Sequence, residues 1–238
     1  DIAAGGQGAP LVPAFHAMSF RSAEEDRAIL NIGGMANLSI LPADPRAPIS
    51  GFDTGPGNVL LDAWINQHQG VTFDRDGAWA AHGTLMPGLL NAFMKEAFFR
   101  QPPPKSTGRE LFHLDWLENH LRGIPAAPID VQATLCAFTA RSIADALMTW
   151  AGKTQRVLVC GGGAHNKHLM DLLKTYLPDM TIESTAAHGL DPDWVEAAAF
   201  AYMARETLGG RATNLPSVTG ARHPVILGGI YLAASTQL

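Results

Sequence analysis

The sequence predicts an α/β fold, and three observations predict it. Arg156-Val157-Leu158-Val159-Cys160 is a short, continuously apolar run of the kind buried in a parallel sheet. It empties into Gly161-Gly162-Gly163, and a helix carrying Leu169, Met170, Leu172 and Leu173 follows. Ile29, Leu30 and Ile32 lead into Gly33-Gly34 and Leu38, Ile40 and Leu41 lead out, the pattern of two antiparallel strands whose joining backbone needs glycine. Between these, Val131, Leu135, Phe138, Ile143 and Leu147 recur at helical spacing from Asp130 to Trp150.

Taken in order, Asp1 to Phe20 carries Gly5, Gly6 and Gly8 and then Pro10 and Pro13, so a shaped loop is expected there rather than a regular helix. Within it His16 reads as a packed or partly exposed histidine in preference to a catalytic one, and Arg21 to Arg27 as a solvated turn. After the hairpin, Phe52-Asp53-Thr54-Gly55-Pro56-Gly57-Asn58 precedes the apolar run of Val59, Leu60, Leu61, Ala63, Trp64 and Ile65, a helix that Gly70 is expected to stop near Gln69. Asp74-Arg75-Asp76-Gly77 reads as a charged surface turn in preference to a metal site. Leu89, Leu90, Phe93, Met94, Ala97 and Phe98 form one apolar helical face between Leu85 and Phe99, ended by Pro102-Pro103-Pro104. Thr181 to Ser184 reads as a further strand. Asp191 is expected to cap a helix beginning at Pro192, Asn214 to Ala221 to form a loop, and Val225 to Leu232 a last strand.

Several of these elements carry chemistry. A helix start after Asn58 presents free N–H groups and a partial positive charge, which favours anions. Asp53 beside it is read either as a general base or as a helix cap. The loop after Cys160 lies where open α/β sheets bind nucleotides. It is not a dinucleotide fingerprint, which requires a third glycine where Asn166 stands. Gly152-Lys153-Thr154 is no P-loop, because position 147 is leucine inside a helix. Glu196, in the first turn of its helix, suits the helix dipole. Cys160 and His165 have no partner acid in an obvious place for nucleophilic chemistry.

These motifs together carry a resemblance. ILNIGGMANLSIL resembles the second phosphate loop of the superfamily of sugar kinases, heat-shock ATPases and actin. NIGGMANLS, GFDTGPGN, CGGGAHN, WVEAAAFA and NLPSVTGA, in that order, are similar to one family within it, the anhydro-N-acetylmuramic acid kinases of bacterial cell-wall recycling. The likeness runs the length of the chain. It implies a ribonuclease-H-like sheet with flanking helices: residues 26–238 as the C-terminal nucleotide- and sugar-binding lobe of a two-lobed kinase and 1–25 as a remnant of the first lobe, to which the last segment can return. It implies Asp53 as the base that activates water, with Glu196, Gly6 and Gly8 at the sugar. It also implies nucleotide contacts from Gly33, Gly34, Asn37, Gly55, Gly57, Asn58, Gly161, Gly162, Gly163 and Asn166. ATP is the implied co-substrate, with Mg²⁺, and a homodimer is the family's habit. Lys105-Ser106-Thr107-Gly108-Arg109-Glu110 resembles another family segment, in which Lys105 or Arg109 either contacts an anion or is simply exposed. The family's opening Gly-Thr-Ser-x-Asp-Gly loop has no counterpart in these 238 residues, so this chain alone is expected to show weak or no kinase activity. Two other classes remain open: another sugar or acid kinase of the superfamily, and a non-catalytic nucleotide- or sugar-binding module.

Composition bounds the rest. At 47% hydrophobic and 16% charged over 238 residues, the chain can bury a sizeable core. A net charge of -5 provides no basic footprint for nucleic acid, and no apolar run reaches membrane-spanning length. Two cysteines, Cys136 and Cys160, have no metal-ligand spacing and suit a reducing cytoplasm.

Overall fold

A computed structural model describes residues 1–231. Its centre is one five-stranded sheet of β1 (Arg27–Ile32), β2 (Met35–Leu41), β3 (Ser50–Pro56), β4 (Arg156–Cys160) and β5 (Thr181–Ser184), in the order β3-β2-β1-β4-β5. β2 runs antiparallel to both β1 and β3, while β4 lies parallel to β1 and to β5. This is the ribonuclease-H-like arrangement. The helices are α1 (Pro13–Phe20), α2 (Val59–Gln69), α3 (Ala78–Ala81), α4 (Pro87–Phe93), α5 (Leu114–Leu121), α6 (Pro128–Trp150), α7 (Lys167–Tyr176), α8 (Val195–Leu208) and α9 (Pro216–Thr219).

Alternation along the strands divides the sheet into two faces. Ala28, Leu30, Ile32, Leu38, Phe52, Val157 and Val159 point into the larger core, where α6 lies across the sheet and Phe93, Phe98, Phe112, Trp116 and Phe138 form a cluster of aromatic rings. The other face, with Ile29, Leu41, Leu158 and Cys160, is covered by α1 and α8 through Phe15, Phe20, Val195 and Ala199. After Arg156, β4 is apolar from Val157 to Cys160 because both of its faces are covered there, which is why that part of its sequence reads as an unbroken hydrophobic run.

Five expectations are corrected. Residues 1–20 are not all loop, since Pro13 at the first turn starts α1 rather than breaking it. The apolar face from Leu85 to Phe99 is split into α4 and a 3₁₀ turn (Ala97–Arg100), because Glu96 is extended and its carboxylate accepts the Ala97 amide. Asp191 caps no helix: its Oδ1 accepts from the Asp193 amide in an Asx turn, the Pro192 carbonyl accepts from Gly161 N–H, and α8 begins only at Val195. Val225 to Tyr231 form no strand, and Leu232 lies outside the described residues. Asn214 to Ala221, read as a loop, contains the short α9.

Candidate active site

Strand register assembles the site. Asn37 on β2 stands opposite Asn31 on β1 and opposite Asp53 on β3, and Asn31 is in turn paired with Cys160 on β4. Residues directly opposite one another share a face, so Asp53, Asn37, Asn31 and Cys160 form one row across the α1/α8 face, near the ends of the two parallel strands β1 and β4. A register shift follows at Ala36/Asn37, leaving Thr54 as the extra residue on β3. Thr54 is buried and its hydroxyl donates to the Ala36 carbonyl at 3.2 Å. β-Bulges re-aim side chains beside functional sites, and this one sits immediately after the acid.

Asp53 is therefore a strand residue, not a helix cap. Its amide donates to the Lys105 carbonyl (3.1 Å), and its Oδ2 accepts from the Thr107 amide (2.9 Å), so the polar loop of residues 105–110 holds both ends of the residue. Burial is the main influence on the carboxyl and pushes its pKa up; the Thr107 amide opposes that, and the nearby Glu110 charge adds to it. Lys105 itself is buried, with Nζ donating to the Phe98 carbonyl at 3.2 Å and lying 4.6 Å from the centre of the Phe98 ring, whereas Arg109 is exposed.

Three of the row, Asn37, Asn31 and Cys160, line a cleft of about 520 Å³ together with Gly8, Gly33, Gly161, Gly162, Asp193 and Glu196, among others; Asp53 is not among its lining residues. Six residues singled out in the sequence thus meet in one cavity: Gly8, Gly33, Asn37, Gly161, Gly162 and Glu196. Asp53 stands next to Asn37 in the row. A second cavity, of about 640 Å³, is lined by Asn58, Asp62, Phe73, Gly162 and Asn166 among others, so Gly162 belongs to both. Gly34 is exposed at the hairpin tip and lines neither cavity.

Gly6, Gly55, Gly57 and Gly163 also line neither cavity; they permit close approach inside the protein. A Cβ on Gly6 would lie 2.1 Å from Asp1 Oδ2, on Gly163 2.3 Å from the Ile32 side chain, and on Gly55 2.8 Å from the Phe99 ring. Gly57 approaches the hairpin so closely that a Cβ would lie 2.4 Å from the Gly33 carbonyl oxygen. The amides of Gly57 and Val59 donate to the Gly34 carbonyl, and that of Asn58 to the Gly33 carbonyl. The start of α2 therefore does not present these N–H groups to an anion, as its sequence suggests; they fasten the helix to the hairpin tip. Asn166 Oδ1 caps α7 by accepting the Leu169 amide at 3.0 Å.

Cys160 is no nucleophile, because burial pushes its thiol up to about 12. His165 does have an acid beside it, Asp193 at 2.9 Å, but both are well exposed. Asn31 was missed in the sequence, where the available signal was a polar residue amid an apolar strand, matched by Asn37 across the hairpin.

His16 is buried on α1, with Nδ1 2.8 Å from Ser39 Oγ and no partner for Nε2 among the described residues. Burial lowers its pKa to about 4. The unfolded chain binds a proton near the ordinary histidine value and the folded one does not, so this residue's stabilising effect is complete above that value and is lost as pH falls towards the folded pKa. Between about pH 7 and about pH 5 the loss is about 2 kcal/mol. Thermal melting across that range is expected to show it, and His16→Phe to flatten the slope; an unchanged slope contradicts the assignment.

An α/β protein with the ribonuclease-H-like strand order, a glycine hairpin and a glycine loop on one cleft, and an acid in line with them is defined by these features. The model of the family described as anhydro-N-acetylmuramic acid kinase matches residues 1–233, and the chain belongs to that family. It is 53% identical over 233 residues to the anhydro-N-acetylmuramic acid kinase of Xylella fastidiosa (strain Temecula1), covering 98% of this chain and 61% of that protein. It is 54% identical over 234 residues to the enzyme of the same name from Pseudomonas syringae pv. tomato, covering 98% of this chain and 64% of that protein. The chain thus spans a little over three-fifths of the length of the curated relatives it matches. No helix among the described residues is long and apolar enough to cross a membrane.

Proposed function

We propose that this chain carries the nucleotide- and sugar-binding body of an ATP-dependent kinase acting on 1,6-anhydro-N-acetylmuramic acid in cytoplasmic peptidoglycan recycling. The observation that supports it most is the row of Asp53, Asn37 and Asn31 leading to Gly161, in a chain of this family. In the proposed reaction Asp53 takes a proton from water and the water oxygen bonds to C1 of the sugar. The C1–O6 bond breaks, O6 bonds to the γ-phosphorus, and the bond to the β-phosphate oxygen breaks to release ADP. The product is N-acetylmuramate 6-phosphate. Such a transfer depends on placement and on charge neutralisation more than on covalent help.

Glu196 faces the same cleft and holds sugar hydroxyls in this reading. The nucleotide runs from the second cavity past Gly162 to the hairpin tip. Among the described residues no three His, Cys, Asp or Glu side chains gather as a metal cage. Mg²⁺ bound with ATP would supply shielding of the phosphate charge. A homodimer is the association expected from the family likeness.

Screening ATP turnover against anhydro and ordinary sugars, in the protein at its full natural length, tests the reading. Phosphorylation of 1,6-anhydro-N-acetylmuramic acid with uptake of solvent oxygen at C1 is expected; preference for a sugar with no anhydro bridge overturns it. Glu196→Gln is expected to raise the sugar KM by about tenfold and leave the ATP KM near wild type. An equal rise in both contradicts its placement at the sugar.

A further inference from the structure

The polar wall of the 640 Å³ cavity can be followed side chain by side chain. Asn58 Nδ2 donates to the Ile32 carbonyl at 3.1 Å, and Asn166 Oδ1 is taken by α7. Both oxygens of Asp74 accept amides, from Trp79 and Ala80, each at 2.9 Å. Asp76 faces Lys167 at 3.4 Å, and His165 faces Asp193. One acid remains. The carboxylate of Asp62, in the first turn of α2, has no hydrogen-bond or ion-pair partner among the described residues, and the residue is neither fully buried nor fully exposed. A carboxylate held partly out of water without a donor has its acceptor capacity unmet, and burial raises this one to about 6.

Two neighbours narrow what could meet that need. Phe73 is 51% exposed at the same cavity and offers an aromatic surface, with the Arg75 guanidinium 5.6 Å from its ring centre. The uncompensated charge of Asp62 repels phosphate, so a nucleotide places its phosphates towards Gly162 and the hairpin and its uncharged end here. Adjacent ribose hydroxyls are paired donors that match the two oxygens of one carboxylate.

We propose that Asp62 is a specificity-determining residue of the nucleotide site, its carboxylate accepting hydrogen bonds from the ribose hydroxyls. The proposal rests on the kinase reading above. Its test is the affinity of ATP, 2′-deoxy-ATP and 3′-deoxy-ATP, measured by calorimetry at about pH 8 on the protein at its full natural length. Wild type is expected to bind at least one deoxynucleotide about tenfold more weakly than ATP, and Asp62→Ala to bind ATP about tenfold more weakly without telling the three apart. Since the Asp62 carboxylate has no internal partner, the melting temperature is expected to stay at the wild-type value; should Asp62→Ala not fold, Asp62→Asn decides by the same comparison. Wild type binding ATP with no preference over the deoxynucleotides, or Asp62→Ala keeping the wild-type preference, overturns this assignment alone. Wild type binding none of the three overturns the kinase reading and the assignment with it.

Discussion

Replacing Asp53 with Asn is expected to lower turnover between about a hundredfold and about ten-thousandfold, the range lost with a positioned general base, while ATP affinity stays close to wild type. The substitution is suited to the question because an asparagine oxygen can still accept the Thr107 amide that holds Oδ2, so the local backbone has no reason to move. What is removed is the ability to take a proton. The raised pKa adds a second expectation: the base must be ionised, so kcat/KM should fall as pH drops, with a midpoint above the usual carboxylate range. Near wild-type turnover by Asp53→Asn, or an acid limb at the ordinary aspartate value, contradicts the base role.

The second large effect is structural. Gly57→Val is expected to destabilise the fold by about 3 kcal/mol, because its side chain meets backbone that cannot rotate away. The nearest atom is the Gly33 carbonyl oxygen, with the Met35 carbonyl carbon and the Ala36 amide nitrogen close behind at 3.2 and 3.3 Å. For a chain of this size that corresponds to a fall of about 6–12 °C in Tm. The three amide bonds joining α2 to the hairpin tip must lengthen with it, so nucleotide affinity should fall as well. Gly34→Ala is the control: nothing lies within 4 Å of its added Cβ, and its melting temperature should barely change. Equal melting temperatures for the two variants would show that the hairpin yields.

Much of this architecture is legible in the sequence where local pattern and burial agree. β4, β5, the stop of α2 at Gly70 and the inward face of α6 are all of this kind: Gly70 has φ 69°, and Val131, Leu135, Phe138, Ile143 and Leu147 are all buried. Periodicity reports burial, however, and not continuity of the backbone. The stretch from Leu85 to Phe99 keeps its apolar rhythm across an extended Glu96 because Phe93 and Phe98 enter the same core. The run after Val225 shows the converse, an apolar segment for which no neighbouring strand supplies hydrogen bonds, leaving Ile226 and Ile230 more than half exposed. At the site, the glycines stand out in the sequence, but which side each one serves does not. That depends on which backbone or side chain passes within 3 Å, a fact of tertiary packing. The placement of Asp53 on a strand was hidden for a related reason: the bulge at Thr54 interrupts the alternation by which β3 could have been read.

The register that joins Asp53 to Cys160 also sets a length. Four neighbouring strands contribute one residue each, and strands are spaced about 4.8 Å apart, so the two ends of the row are about 14 Å from each other. A single sugar ring is too short to reach from the acid to the loop that follows Cys160. On the kinase reading proposed above, the sheet is a fixed ruler whose span calls for sugar and nucleotide laid end to end.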